Sequence, residues 1–398
     1  MKHVEKLIMS LCPNGVPMRS LGAIGTTVSG LRGKSKDDFS DGNAPYVSYV
    51  EIFNNPGIDF VPEKRVKIGA GENQSSIQLG DVLVTGSSET RNECGMTAVV
   101  TTQPEHPIYL NSFCFIWRPN PGVELDPQFM KHLFRGRGFR DRVIETANGV
   151  TRQNISKPKF LAIEIPVPPI AVQCEVASIL NKFSELEAEL EAELEARRTQ
   201  YEFYRSQLLS PNNQDADARV VTLGDLVKLQ AGKFVSASEI SKIADASNSF
   251  PCYGGNGQRG FVSNFSHDGD YVLIGRQGAL SGNVKRTSGK FYATEHAIIA
   301  TPKELCDTNW LYHALVEMNL NQYVSRGAQP GLAVGNLETV KIVVPSLEKQ
   351  KQIGEALEGF NKLVNDISSG LPAEIAARRQ QYEFYQSKLL KFKELVEA

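Results

Sequence analysis

The chain has six cysteines in 398 residues, at positions 12, 94, 114, 174, 252 and 306, and no two form a C-x-x-C pair. That scatter excludes a zinc knuckle and a disulfide framework, and it points to a reduced, cytoplasmic setting. Long apolar runs are also missing. Near the N-terminus there is only the short patch at residues 7–12, with no small-residue cleavage site, so neither a signal peptide nor a membrane span is expected. Charge of one sign is missing too, with 43 basic against 45 acidic residues, which argues against a nonspecific nucleic-acid coat. The remainder is ordinary: 41% hydrophobic and 22% charged residues describe a globular chain of two or three domains.

Catalytic motifs are absent. Gly30-Leu31-Arg32-Gly33-Lys34-Ser35 has two residues between its glycines where a phosphate-binding loop needs four. Gly254-Gly255-Asn256-Gly257 follows no strand-to-helix context and reads as a turn. Asn54-Asn55-Pro56-Gly57 lacks the Pro-Pro-aromatic with which amino-methyltransferases hold a target amine. No G-x-S-x-G or H-E-x-x-H occurs, and the six histidines have no metal-ligand spacing. His296 beside Glu295 reads as a satisfied core pair. Hence no catalytic residue, no metal site and no enzyme is expected from this chain alone.

What the sequence does contain is a duplication. ARRTQYEFYRSQLL (196–209) returns as ARRQQYEFYQSKLL (377–390), identical at 11 of 14 positions. Upstream, residues 160–183 align with 337–360, so that Pro168 meets Pro345 and Gln173 meets Gln350. Such a period near half the length dictates the architecture. Both copies carry a 4-3-4-3 apolar ladder: Val176, Leu180, Phe183, Leu190, Leu194, Tyr201, Tyr204 and Leu208 in the first. In the second it is Ile353, Leu357, Phe360, Val364, Ile367, Leu371, Ile375, Tyr382, Tyr385 and Leu389. This period predicts two long helices packed antiparallel as a coiled coil, with Gln173 off the seam. The step from Leu371 to Ile375, between Gly370 and Pro372, predicts a break near 370–372.

The segments between the helices share a frame. Ser20-Leu21-Gly22 matches Thr222-Leu223-Gly224, Gly33-Lys34 matches Gly232-Lys233, and residues 81–86 match 270–275. A short alternating strand follows (113–117 and 297–300), then a helix opening at Asp126-Pro127 and at Thr308-Asn309. Strands first and a helix late predict an α+β class: two β-rich domains and two long antiparallel helices, related by a pseudo-two-fold internal repeat. The expected division is an N-terminal segment at 1–15 that completes the C-terminal repeat, a first domain at 16–170, and a central helix at 171–209. A linker at 210–218, a second domain at 219–345 and a C-terminal helix at 346–398 follow.

At this point the sequence resembles the DNA-specificity (S) subunits of type I restriction–modification systems. The resemblance rests on the duplicated ARRxQYEFYxSxLL, on LCPNGV followed by Leu21-Gly22, and on residues 370–375, 253–257 and Pro330-Gly331-Leu332. It covers essentially the whole chain. It implies that each β-rich domain is a target-recognition domain for one half of a bipartite site on double-stranded DNA. It further implies that two methylation subunits bind the chain and that restriction/translocation subunits join them. S-adenosylmethionine, ATP and Mg would lie in those partners, and adenine methylation and ATP-dependent cleavage would belong to the assembled complex. A coiled-coil adaptor and a DNA-modifying enzyme with an unrecognised motif are the alternatives.

A helix over 171–209 spans roughly 58 Å, against ~34–36 Å for half-sites one turn apart, which is long enough to set a spacer. Base readout favours Arg or Lys for guanine and Asn or Gln for adenine. In the first domain the candidates are Arg32, Lys34, Arg91, Asn92, Arg135, Arg137, Arg140, Arg152 and Gln153. Residues 131–159, with eight basic against two acidic groups, are a candidate phosphate-contact stretch. In the second domain they are Lys233, Asn256, Gln258, Arg259, Arg276, Gln277, Lys285, Arg286, Arg326 and Gln329. Arg197, Arg198 and Phe203, with Arg378, Arg379 and Phe384, carry more aromatic and basic surface than the seam needs and are candidate docking residues for the methylation subunits.

Overall fold

The computed structural model describes residues 2–149, 151–210, 217–278, 280–303, 305–325, 330–366 and 368–395. Arg326, Gln329, Ile367 and most of the expected linker lie outside the described residues. The chain forms two compact units, Met1–Glu189 with Ala376–Ala398, and Leu190–Ile375. Each unit therefore holds one β-rich domain and one half of each repeat helix.

In the first unit a five-stranded sheet runs in the order Gly25–Ser29, Cys114–Pro119, Val82–Thr85, Thr97–Val100, Gly57–Ile58. Val82, Val84, Phe115 and Trp117 face the helices Pro127–Arg135 and Arg137–Glu145, while Leu83, Ile116 and Val100 face a second apolar cluster containing Ile52. Burial on both faces explains why these strands read as apolar runs. The second unit repeats the plan with Val227–Ala231, Ala297–Pro302, Tyr271–Gly275 and Val284–Thr287. It adds a further four-stranded sheet containing Phe250–Gly254 and Gly257–Val262. Each domain is closed by its ends: Met18–Ser20 pairs antiparallel with Glu164–Pro166, and Arg219–Thr222 with Lys341–Val344.

The central helix is continuous from Ile170 to Leu209. The C-terminal repeat is two helices, Leu347–Asn365 and Leu371–Leu389. Pro372 sits in the first turn of the second, where its missing N–H costs no helical bond. Within the first unit Phe183 stacks on Tyr385 with centroids 5.1 Å apart, and Glu187 pairs with Arg379. As one number rises the other falls, so the pairing is antiparallel. In the second unit Tyr204 packs on Phe360 at 5.5 Å.

Gln173 and Gln350 lie three residues before Val176 and Ile353, so they continue the ladder, against the expectation that Gln173 lies off it, and they are almost wholly buried. Gln173 Oε1 accepts from the amide of Asp126, and its Nε2 donates to the carbonyls of Glu124 and Pro168. Gln350 does the same with Asp307, Leu305 and Pro345. Each glutamine thus ties a repeat helix to the cap of its domain's helix, because Asp126 and Asp307 are the N-caps of Pro127–Arg135 and Thr308–Glu317.

Candidate nucleic-acid interface

Both sheets end in the same backbone platform. In the first unit the amide of Gly30 donates to Cys114 O, Leu31 to Leu110 O, Gly86 to Phe113 O, Asn111 to Val47 O, Cys114 to Asn111 O, and Ile155 to Gly86 O. In the second unit Gly232 donates to Ala297 O, Lys233 to Ala293 O, Arg276 to His296 O, Thr294 to Tyr253 O, Ala297 to Thr294 O, and Leu332 to Arg276 O. Bond for bond, the two lists match. Phe113 therefore corresponds to His296, Ser112 to Glu295, Ser87 to Gln277, and Arg32 to Phe234.

This register corrects two sequence matches. The counterpart of Gly232 is Gly30, not Gly33, and the counterpart of Arg276 is Gly86, so the 81–86 match slips by one residue. Glycine is required at 30 and 232 because a Cβ there would lie 2.2 Å from Asn111 O and 2.3 Å from Ala293 O.

Several candidates stand at this end of the sheets. Arg32 is exposed beyond Gly30, and Arg152 places its guanidinium 5.7 Å from the centre of the Phe113 ring. Gln153 is half-buried, in the strand beside Ser88, and its Nε2 donates to Gly149 O. Arg91 and Asn92 lie on the exposed loop after Ser88. In the second unit Lys233 and Gln277 are exposed, and Arg276 Nη1 donates to the carbonyl of Glu295 at 3.2 Å. The turn holding Asn256 abuts the platform, since a Cβ on Gly255 would lie 2.8 Å from Gln277 O. Lys285 lies against Gly257 in that turn, and Gln258 and Arg259 are exposed on the strand that follows.

Other candidates are engaged elsewhere or stand apart from the platform, and for Lys34, Arg135 and Arg140, enclosed and bonded within the domain, the expectation of DNA contact is withdrawn. The Arg135 guanidinium donates to the carbonyls of Thr97, Ile52, Phe53 and Asn55, and burial pulls its pKa down to about 10. Arg140 is bonded to the carbonyls of Gly95, Asn92 and Cys94. Two of the eight basic residues of the stretch are thus internal staples, and its charge count misled because backbone carbonyls carry no formal charge. Lys34 Nζ donates to Lys67 O and to Glu72, both within its own domain. Arg286 pairs with Glu358 at 2.9 Å. Arg137 is exposed on the helix after Gly136, near Asp141, and Gly136 itself faces Leu390 of the C-terminal repeat rather than the platform.

The sequence reading missed Phe113 and passed over Glu295. Alternation placed Phe113 with the buried Phe115 and Trp117, but the strand begins at Cys114 and the turn leaves Phe113 63% exposed. Glu295 Oε1 lies 3.1 Å from His296 Nε2, while its Oε2 is buried without a hydrogen-bond partner among the described residues. On the helices, the docking candidates Phe203 and Phe384 are 59% and 62% exposed, each with an edge contact to the next tyrosine. Arg197 contacts Glu193 and Gln200, Arg198 is exposed, Arg378 contacts Gln381, and Arg379 contacts Glu187. Among the described residues no helix is long and apolar enough to cross a membrane, and no cluster of His, Cys, Asp or Glu could hold a metal ion.

Comparison with known proteins points the same way. The family model for "Type I restriction modification DNA specificity domain" matches residues 13–196 and again 216–377. The type I restriction enzyme EcoprrI specificity subunit of Escherichia coli is 49% identical over 207 residues, which is 51% of this chain and 52% of that protein. The chain thus spans about half the length of that relative. The putative type I restriction enzyme specificity subunit S.HindORF215P of Haemophilus influenzae is 30% identical over 69% of this chain and 74% of its own. Among solved structures, the type I restriction–modification S subunit of M. genitalium gives a TM-score of 0.61 at 17% identity, covering 94% of this chain and 96% of that one. A chain solved in work on complex assembly and conformational transition of the type I R-M system gives 0.64, also at 17%, covering 95% and 98%. At that identity the likeness speaks for the fold alone. With both halves matched over most of its length, the chain belongs to the type I restriction–modification DNA specificity family.

Proposed function

We propose that the chain is the non-catalytic, DNA-reading subunit of a type I restriction–modification complex, each unit reading one half of a bipartite site. The observation that carries this is the platform: one backbone frame, built twice, presenting different side chains. Phosphate contacts would come from exposed cations such as Arg32, Arg152, Lys233 and Lys285, and base contacts from side chains on the rigid turns. Two methylation subunits would dock on the duplicated Phe203 and Phe384 with their neighbouring arginines, and restriction/translocation subunits would join that assembly. S-adenosylmethionine, ATP and Mg belong to those partners in this reading, which also places the complex in the cytoplasm and assigns adenine methylation and ATP-dependent cleavage to the whole. An adaptor role would leave the paired platforms without a purpose. Substituting Arg276→Ala together with Gln277→Ala in the reconstituted complex tests the reading. Binding to the cognate site should fall more than binding to random DNA, and equal loss on both would reduce the pair to phosphate contacts.

A further inference from the structure

We infer that base specificity in each unit is carried by the turn ahead of the central strand, 111–113 in one and 294–296 in the other. Phe113 and Glu295 are the side chains that touch base edges. The inference rests on the proposed DNA-reading role and names the determinants within it.

Three observations converge on these turns. First, they are irregular backbone held on several sides. Each is bonded to the strand before it, to the strand beside it and to its own central strand, and each is backed by a glycine that admits no side chain. Base discrimination needs such fixed positions, since a group free to move by an ångström accepts several hydrogen-bond patterns. Yet at these fixed positions the chemistry is not shared: Ser112-Phe113 stands where the other unit has Glu295-His296.

Second, Phe113 is an exposed aromatic ring flanked by a cation. Its apolar surface gains nothing from water, and the neighbouring Arg152 suits a phosphate. In a DNA groove, the apolar feature that distinguishes one base from the others is the thymine C5 methyl.

Third, Glu295 has one carboxylate oxygen facing His296 Nε2 and the other buried without a hydrogen-bond partner among the described residues. An enclosed, unpaired acceptor is costly, and turning that oxygen outward to an incoming donor removes the cost. In the major groove the donors are the exocyclic amines of cytosine and adenine. The Arg276 guanidinium is bonded to the backbone carbonyl of Glu295 itself, and Gln277 follows Arg276 in the chain. The first unit thus reads a methyl group from the last residue of its turn, and the second an exocyclic amine from the middle residue of its own.

The test uses the reconstituted methylation complex with the full-length chain. Methylome sequencing compares the wild type with Phe113→Ala, Phe113→Leu and Glu295→Gln. Phe113→Ala should relax a single thymine position in one half-site, by roughly ten-fold in discrimination, and leave the other half intact. Phe113→Leu should retain most of the preference. Replacing that thymine by deoxyuridine should weaken wild-type binding and leave Phe113→Ala unaffected. Glu295→Gln should relax one cytosine or adenine position in the opposite half-site, and the base lost identifies the amine. Unchanged half-sites, or a uniform loss over all sequences, would overturn the assignment while a bipartite wild-type site still stood. A wild-type methylome without a bipartite site would overturn the underlying DNA-reading role as well.

Discussion

The hydroxyl of Tyr382 lies 2.9 Å from Nδ1 of the buried His132, and the hydroxyl of Tyr201 lies 3.0 Å from Nδ1 of the buried His313. His132 Nε2 faces Asn181 Oδ1 at 2.7 Å, so it carries the proton and Nδ1 accepts from the tyrosine. Gln386 Nε2 in turn donates to the Tyr382 oxygen. Tyr201 and Tyr382 are equivalent positions of the duplicated motif, and His132 and His313 are equivalent positions of the two domains. Each domain is therefore locked to the tyrosine that the other half of the sequence would suggest is its neighbour's. The N-terminal segment joins the same exchange, because Val16 bridges to Glu394 and its carbonyl accepts from Leu395.

Removing the Tyr382 hydroxyl strands His132 Nδ1 in a buried site. Tyr382→Phe should destabilise the first unit by about 1–2 kcal/mol. A double-mutant cycle with His132→Phe in urea melts should return a coupling of similar size. Additive losses would show that the contact contributes nothing of its own.

Burial pulls both histidines down to about 4 from the ordinary 6.5, with nearby cations adding to the effect. A depressed folded pKa means that the unfolded chain binds more protons between those values. Stability is then full above pH 6.5 and falls as pH drops towards 4, by up to about 3 kcal/mol per histidine. Urea midpoints measured from pH 7.5 to pH 4.5 should show this slope, and His132→Gln should flatten part of it. A profile that stays level through the window would contradict the assignment.

The two glutamine brackets predict matching defects. Gln173→Ala and Gln350→Ala each leave an amide and two carbonyls without their partner, one of the carbonyls in a buried bond, which costs about 1–3 kcal/mol. Gln→Glu should be worse at both positions, because an acceptor would then face two carbonyls. Thermal melts of the four variants decide whether the brackets are equivalent.

Docking through the repeated aromatics has its own outcome. Phe203→Ala with Phe384→Ala should leave the fold intact, since both rings are exposed, while copurification of the methylation subunits is lost. Recovery of two partners at full affinity would shift docking to other surfaces.

Much of this was legible in the sequence. The duplication exposed the two-unit plan, and the ladder residues Val176, Leu180, Ile353 and Leu357 are buried in the domain cores, whereas Tyr204 on the same ladder stays 39% exposed. The α+β order followed from strand patterning and the Asp126 cap. What stayed hidden depends on contacts that local pattern cannot encode. Gln173 gave no sign of its bracket because its partners are backbone groups, two of them on segments away from its own turn. Arg135 and Arg140 looked like phosphate ligands for the same reason. Phe113 continued an alternation that the chain abandons one residue too soon for periodicity to reveal. Glu295 is conspicuous only once one of its oxygens is seen to be enclosed.

The central helix contains the tetrads Leu186-Glu187-Ala188-Glu189 and Leu190-Glu191-Ala192-Glu193. One further tetrad lengthens a helix by ~6 Å and turns it by about 40° net, close to the ~35° twist of a base pair at ~10–10.5 pairs per turn. Methylome sequencing of a chain carrying one duplicated tetrad therefore tests most directly whether two reading units are held apart by a helical spacer. The prediction is a nonspecific spacer longer by one base pair between two unchanged half-sites. An unchanged spacer, or altered half-site sequences, would contradict it.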